Sequence, residues 1–304
     1  MNAPIIFFHK GFDPYIAITL WQARRTNPDT PIYLLGDATN DLSSLGIIHV
    51  NYQEHMGRRD EFVSVYQHFS PHELECERLC IERWFFLEAF LRERGIERCV
   101  YLDSDLLLLM NLGSLAPAWD GFDVAGAPLF FGICYFSKPQ IIKEFCDYIL
   151  AVYRDAGQIE KWRVWFEDIQ KQGWEEGVAG VSDMTLSRMF IERSQLKCFD
   201  LRRSFDNTVF DISFCGITGP GDLSGKLAWN KTGHYYEGTS GGVKSRLACL
   251  HCWGTSKRYS SAFTGWDFPL VRSFFKPNYR RNFKKLLQHA YYGWRFRRAL
   301  RSAS

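Results

Sequence analysis

The chain contains no run of about 20 apolar residues, the length a helix needs to cross a bilayer, so no transmembrane helix is expected. Met1 to Phe8 lacks a basic stretch followed by a long apolar core, so no signal peptide is expected there. No internal repeat and no low-complexity tract occurs, and the 304 residues suffice for one large α/β body, or a body plus a smaller addition. Acidic residues are missing altogether from Phe268 to Ser304, which holds ten Lys and Arg. Of the 37 basic and 34 acidic residues, that leaves 27 against 34 elsewhere, a net of −7 on the body. A neutral-to-acidic body with a basic tail points the tail at an anionic surface. Paired cysteines are not expected either. The nine present are scattered and odd in number, which fits reduced thiols in a cytosolic protein. In that compartment the triplet Asn230-Lys231-Thr232 is no glycosylation acceptor.

What is present is ordinary for a globular protein: 46% apolar and 23% charged residues. The aromatic content is high at 16%. It serves either a large aromatic core or faces on which sugars and bases stack. The apolar runs Pro4–Phe8, Pro31–Leu35 and Ile47–Val50 read as strands, with a helix over Tyr15–Arg25 between the first two. Strand, helix and strand with short connections predict a βαβ unit and a mainly parallel sheet. Cys76, Leu79, Cys80, Trp84, Leu87 and Leu91 recur at three- and four-residue spacing, which predicts a helix over Glu73–Arg94 stopped by Gly95. Cys99–Leu102 reads as a central strand, followed by strands at Asp123–Ala127 and Gly132–Phe136. Helices are expected at Pro139–Tyr153, within 154–180 and at Asp183–Ile191. Loops and small strands are expected over 204–245, and a late strand over Leu247–Cys252.

Asp103-Ser104-Asp105 follows the apolar strand Cys99–Leu102 and precedes the apolar run Leu106–Met110. Two carboxylates in such a setting need a partner, and a divalent cation is a natural one. Ligands of open α/β sheets bind beyond the carboxyl ends of strands, where Mg²⁺ or Mn²⁺ neutralises a diphosphate. The alternative is a pair of Asp residues capping a turn or helix. An aspartyl-phosphate chemistry is disfavoured, because that motif sits on a first strand and position 107 here is Leu. His251-Cys252-Trp253-Gly254-Thr255-Ser256-Lys257 supplies an imidazole, a glycine for close backbone approach and a lysine that reaches a phosphate. Asp103, Asp105 and His251 together suit a mixed nitrogen and oxygen site for Mn²⁺. Cys76 with Cys80, and Cys249 with Cys252, leave a structural zinc site as the rival reading. The other reading of Cys76 and Cys80 is a pair of buried thiols on one apolar helix face.

The strand-borne D-x-D with H-x-x-G-x-x-K resembles glycosyltransferase family 8 and its bacterial relatives, over Pro4 to about Lys257. That resemblance implies a GT-A fold: a mixed, mainly parallel, Rossmann-like sheet flanked by helices. It implies Asp103, Asp105 and His251 as Mn²⁺ (or Mg²⁺) ligands, Gly254 and Lys257 at the donor pyrophosphate, and Ser104 near the ribose. Arg83, on the helix before the D-x-D strand, matches a donor-contacting arginine. A cation on that apolar face needs an anion, so a buried salt bridge is the alternative. Asp183, in Gly180-Val181-Ser182-Asp183, matches a carboxylate near the transferred sugar, or else caps its helix. Phe8 and His9 stand where family members often carry an Asp that contacts uracil. The Asn-Ala-Gly turn of the family is replaced by Phe131-Gly132-Ile133. Asp37 contacts the nucleoside or shapes a turn.

The expected organisation is a catalytic domain over 1–267 and a basic aromatic tail over 268–304, with basic amphipathic helices in Tyr279–Arg301. That tail suits an anionic membrane surface, a solvated helix packed on the body, or nucleic acid, which has no supporting motif. The expected activity is metal-dependent transfer of a hexose from a nucleotide-sugar, UDP-linked, to a glycan or lipid-linked acceptor with retention. The expected location is the cytoplasm, peripheral to the inner face of a membrane. The alternatives are a sugar-nucleotide nucleotidyltransferase, which would show a Gly-rich basic loop after the first strand, and a non-catalytic nucleotide-sugar-binding protein.

Overall fold

The computed structural model describes residues 3–127, 130, 132–172, 180–201, 204–213, 229–232, 235–240, 243–252, 254–264, 287–288, 290–292 and 294. In chain order the elements are β1 (Ile5–Phe8), α1 (Pro14–Thr26), β2 (Ile32–Gly36), β3 (Ile48–Asn51), α2 (Arg59–Val65), α3 (Leu74–Arg94), β4 (Cys99–Leu102), β5 (Leu106–Leu108), α4 (Leu112–Leu115), β6 (Val124–Ala127), β7 (Ile133–Phe136), α5 (Gln140–Arg154), α6 (Ala156–Gln172), α7 (Asp183–Arg193), β8 (Cys198–Asp200), β9 (Thr208–Ser213), β10 (Trp229–Thr232), β11 (Tyr235–Ser240) and β12 (Val243–His251). The chain is mixed α/β, with a mainly parallel sheet flanked by helices. Its contacts gather into two compact units interleaved in sequence. One comprises 1–50, 102–120 and 201–304, the other 51–101 and 121–200.

In the first unit β1 and β2 pair in parallel from Ile5 opposite Ile32 to Phe8 opposite Leu35. With α1 between them they form the expected βαβ unit. Proline in the first turn, after the extended Asp13, starts α1. The run β3-β2-β1 completes this part. The same unit carries a second sheet, β10-β11-β12-β5 with β9 also on β12. The strand β12 is its spine. It meets β11 and then β5 antiparallel along one edge and β9 in parallel along the other. The apolar run after the D-x-D is therefore a strand in its own right, which the sequence did not single out. Two side chains of α1 anchor it: Gln22 Nε2 and Thr26 Oγ1 each donate to the Leu108 carbonyl, both at 3.1 Å.

The second unit holds the run β4-β7-β6-β8 and the helices α2, α3, α5, α6 and α7. Gly95 stops α3 as predicted, with φ at 62° and the Ile96 amide bonded back to the Leu91 carbonyl at 3.0 Å. The burial of α3 departs from the sequence expectation. Cys76 is exposed and Cys80 only partly covered, so the two do not share a buried face. Residues 84–91 are buried on all sides instead, as in a helix enclosed by its neighbours. Trp84 packs on Tyr101 and Phe130 with ring centroids 5.1 and 5.4 Å apart, and Phe145 lies 5.1 Å from Phe130. Much of the aromatic surplus is thus core.

Most of the tail expectation over Tyr279–Arg301, and Phe131 of the expected turn, lie outside the described residues. The tail positions that are described, such as Tyr291, Tyr292 and Trp294, are helical. No helix among the described residues is long and apolar enough to cross a membrane.

Candidate active site

The D-x-D segment is a tight connection between two strands. Leu102 ends β4, the Leu106 amide bonds to the Asp103 carbonyl at 3.1 Å, and β5 begins. Antiparallel pairing of β5 with β12 sets Leu106 opposite His251. The Cys252 amide then reaches the Asp105 carbonyl at 2.9 Å. Backbone pairing alone therefore brings a carboxylate and an imidazole, 146 positions apart, into contact. His251 Nε2 lies 3.1 Å from Asp105 Oδ1. The other carboxylate oxygen, Oδ2, meets Lys257 Nζ at 3.1 Å.

Lys257 arrives there because the chain turns directly after β12. Gly254, with φ at 60°, opens a 3-10 helix over Gly254–Phe263. That backbone conformation disfavours a side chain with a Cβ. The Lys257 ammonium also sits 4.8 Å from the centre of the Tyr15 ring. Burial works against its charge, yet Asp105 and Tyr15 hold its pKa above the usual lysine range. Burial pushes the Asp105 carboxyl up, but His251 and Lys257 overcome that and hold it at about 2. Asp105 is thus a carboxylate clamped by two nitrogen bases. Asp103 is buried beside it in sequence.

A second group of side chains in this unit surrounds the end of β1. His9 Nδ1 lies 3.0 Å from Ser104 Oγ, and its ring stands edge-on to Tyr15 at 5.5 Å. The ring is buried, which lowers its pKa and keeps it neutral. Its Nε2 is buried without a hydrogen-bond partner among the described residues, the kind of orphan that a bound group satisfies. Phe8 is the buried last residue of β1. Asp37 takes the turn role: Oδ2 accepts the Gly11 amide at 2.6 Å, and Oδ1 accepts the Thr39 amide at 2.8 Å. Asn40, which the sequence did not flag, donates to the carbonyls of His9 and Gly11 at 2.7 and 2.8 Å. Tyr15 read in the sequence only as a helix-face residue. Neither carries a spacing signal that would have found it.

Arg83 and Asp183 belong to the second unit. Arg83 Nη2 donates to Asp183 Oδ2 at 2.6 Å, and Trp84 Nε1 donates to the same oxygen at 3.2 Å. The partly buried arginine therefore has a protein carboxylate as its anion. Asp183 is the first residue of α7 rather than its cap. Ser182 is the cap and accepts the Thr185 amide. Close packing holds this corner: a Cβ at Gly180 would stand 2.4 Å from Ser70 Cα, and the Val181 amide bonds to the Phe69 carbonyl at 2.8 Å.

Neighbouring ligands of an octahedral divalent cation with bonds near 2.1 Å stand about 3.0 Å apart. The 3.1 Å between His251 Nε2 and Asp105 Oδ1 is a hydrogen-bond distance, and an imidazole with carboxylates is a suitable donor set for such a cation. Among the described residues no group of three or more His, Cys, Asp or Glu side chains is gathered into a metal cage. The structure thus gathers two of the expected ligands, Asp105 and His251, bonded to each other, with Lys257 on the remaining oxygen of Asp105.

No family model matches the chain, and no curated protein does. Solved structures similar to it include mouse xyloside xylosyltransferase 1 in its apo form, at 12% identity and a TM-score of 0.46, covering 84% of this chain and 98% of that one. Another is the glycosyltransferase GlyE of Streptococcus pneumoniae TIGR4, at 16% identity and a TM-score of 0.32, covering 65% of this chain and 45% of that one. The apo bifunctional glycosyltransferase WbbM is similar at 15% identity and a TM-score of 0.33, over 50% of this chain and 34% of its own. At those scores the functional reading rests on the residues themselves.

Proposed function

We propose that the protein is a GT-A glycosyltransferase that transfers a hexose from a UDP-hexose to a glycan or lipid-linked acceptor with retention. The observation that carries this reading is the contact of Asp105 with both His251 and Lys257. It joins the D-x-D to the H-x-x-G-x-x-K in one place. Asp105 and His251, with Asp103, would hold Mn²⁺ or Mg²⁺. Such an ion neutralises the charge on a departing diphosphate.

The protein's own groups do the rest. Lys257 and the backbone at Gly254 bind the diphosphate oxygens. Ser104, held by His9, faces the ribose, and the orphan Nε2 of His9 accepts or donates one hydrogen bond to the nucleoside. In the second unit Asp183, oriented by Arg83 and Trp84, is a carboxylate able to favour positive charge at a sugar's anomeric carbon. The acceptor hydroxyl forms the new bond to that carbon as the bond to the phosphate oxygen breaks, and its proton passes to the departing diphosphate. The basic aromatic tail brings the enzyme from the cytoplasm to the inner face of an anionic membrane.

The test is a screen of UDP-hexoses for hydrolysis. Turnover that requires Mn²⁺ and is lost in Asp105→Ala is the expected result. Pyrophosphorolysis of a sugar nucleotide would replace this reading with a nucleotidyltransferase. Donor binding without turnover, whatever acceptor is offered, would replace it with a binding protein.

A further inference from the structure

Lys257, Tyr15, Ser104 and His9, all in the first unit, stand in one hydrogen-bonded row. The Lys257 ammonium bonds to the Tyr15 hydroxyl, and that hydroxyl bonds to Ser104. Ser104 Oγ lies 3.0 Å from His9 Nδ1. The rings stand accordingly, with Lys257 Nζ 4.8 Å from the centre of Tyr15 and Tyr15 edge-on to His9 at 5.5 Å. One end of the row is a fixed charge, since Asp105 Oδ2 holds the ammonium at 3.1 Å. The other end is His9 Nε2, buried without a partner among the described residues, in a residue only 9% exposed.

The fixed charge gives the row a direction. An ammonium has donors and no acceptor, so the Tyr15 oxygen accepts from Lys257. Tyr15 is buried, and of these two partners only Ser104 can take its proton. Ser104 then gives its own proton to Nδ1 of His9. In that order every proton of the row has an acceptor. The reverse order, with Nδ1 donating to Ser104 and Ser104 to Tyr15, strands the Tyr15 proton, and a buried donor without an acceptor is costly. Burial, aided by the charge of Lys257, keeps the His9 ring neutral. A neutral imidazole carries one proton, which this order places on Nε2.

We propose that Lys257, acting through Tyr15 and Ser104, holds His9 with its proton on Nε2, as a donor that reads a carbonyl oxygen of the nucleoside. The nucleoside rests on the glycosyltransferase reading, whereas the direction of the row does not. Tyr15 and Ser104 are positioning residues, because they act through His9. A base edge that turns an N–H toward Nε2 meets a second donor and is rejected, while a keto oxygen satisfies it. The ammonium has three protons, so its bonds to Asp105 and Tyr15 leave one for a diphosphate oxygen. The lysine at the phosphates thus also sets how the base is read.

The experiment is ¹⁵N NMR of the protein labelled at histidine, joined to calorimetric titration with UDP. Proton–nitrogen correlations through the ring bonds tell the two tautomers apart, and the signals lost in His9→Gln are those of His9. The parent should carry the His9 proton on Nε2 alone. Tyr15→Phe breaks the row and should populate the Nδ1 form as well. His9→Gln keeps a donor close to the place of Nε2, whereas His9→Met has the same length and none. The first should bind UDP on the order of tenfold tighter than the second. Thermal midpoints show that each variant is folded. A parent ring protonated on Nδ1, or a tautomer unmoved by Tyr15→Phe, overturns the row while leaving the glycosyltransferase reading intact. Equal UDP affinity of His9→Gln and His9→Met overturns the donor role toward the nucleoside. Failure of the parent to bind UDP, with its proton on Nε2, removes the nucleoside contact and the UDP-linked donor together, and not the row.

Discussion

Replacement of Asp183 by alanine separates a structural anchor from an isolated surface charge. Arg83 is only 15% exposed at its side chain and Asp183 6%, so the substitution removes a carboxylate from a largely covered guanidinium. Breaking a buried pair from one side costs about 3–5 kcal/mol, and the slight water access of Arg83 puts this case near the lower bound. Trp84 Nε1 loses the same acceptor, which adds about 1 kcal/mol. A loss of about 4 kcal/mol lowers the melting temperature by roughly 6 °C for a chain of this size. Asp183→Asn keeps an acceptor for Trp84 and should lose less. Arg83→Ala alone should also destabilise, yet the double variant should fall well short of the sum, by about 2 kcal/mol in a urea-unfolding cycle. If Asp183→Ala stays within 1 kcal/mol of the parent and the double variant is additive, the pair is not the anchor described here.

Gly180→Ala pushes a methyl group to 2.6 Å from the Phe69 carbonyl. It should cost about 1–3 kcal/mol in urea unfolding, and a neutral result would mean that this corner is looser than described. The depressed pKa of Asp105, at about 2 against an ordinary 3.8, adds stability above the ordinary value that is lost as the pH falls through the folded one. The parent should therefore lose about 2 kcal/mol more than Asp105→Asn between pH 5 and pH 2 without added metal. Parallel pH curves for the two would contradict the clamp. The protein should co-sediment with phosphatidylglycerol vesicles, and raised salt should release it. Joint replacement of the exposed Tyr291 and Trp294 by serine should weaken that binding. Equal binding to neutral vesicles would refute the electrostatic part of this reading.

The sequence carried the local patterns well. Apolar runs punctuated by Gly and Asp placed β1, β2 and β4 within a residue or so, and Gly95 marked the end of α3 because only a residue at ease at positive φ stops a helix that way. It also carried the motifs, since carboxylates flanked by apolar strands have few innocent explanations. It misread α3, where Glu77, Glu82 and Glu88 are all buried. Ser70, Arg59 with Arg78, and Arg92 respectively contact them from other segments or other turns. A helix enclosed on every side has no single apolar stripe to read.

By itself, then, the sequence determined which segments become strands and helices and which side chains are able to do chemistry, because both depend on neighbours a few positions away. Only the tertiary structure decided who meets whom. Asp105 touches His251 because β5 pairs with β12, and Arg83 faces Asp183. Those choices are set by strand register and packing across many tens of residues, and no local pattern encodes them.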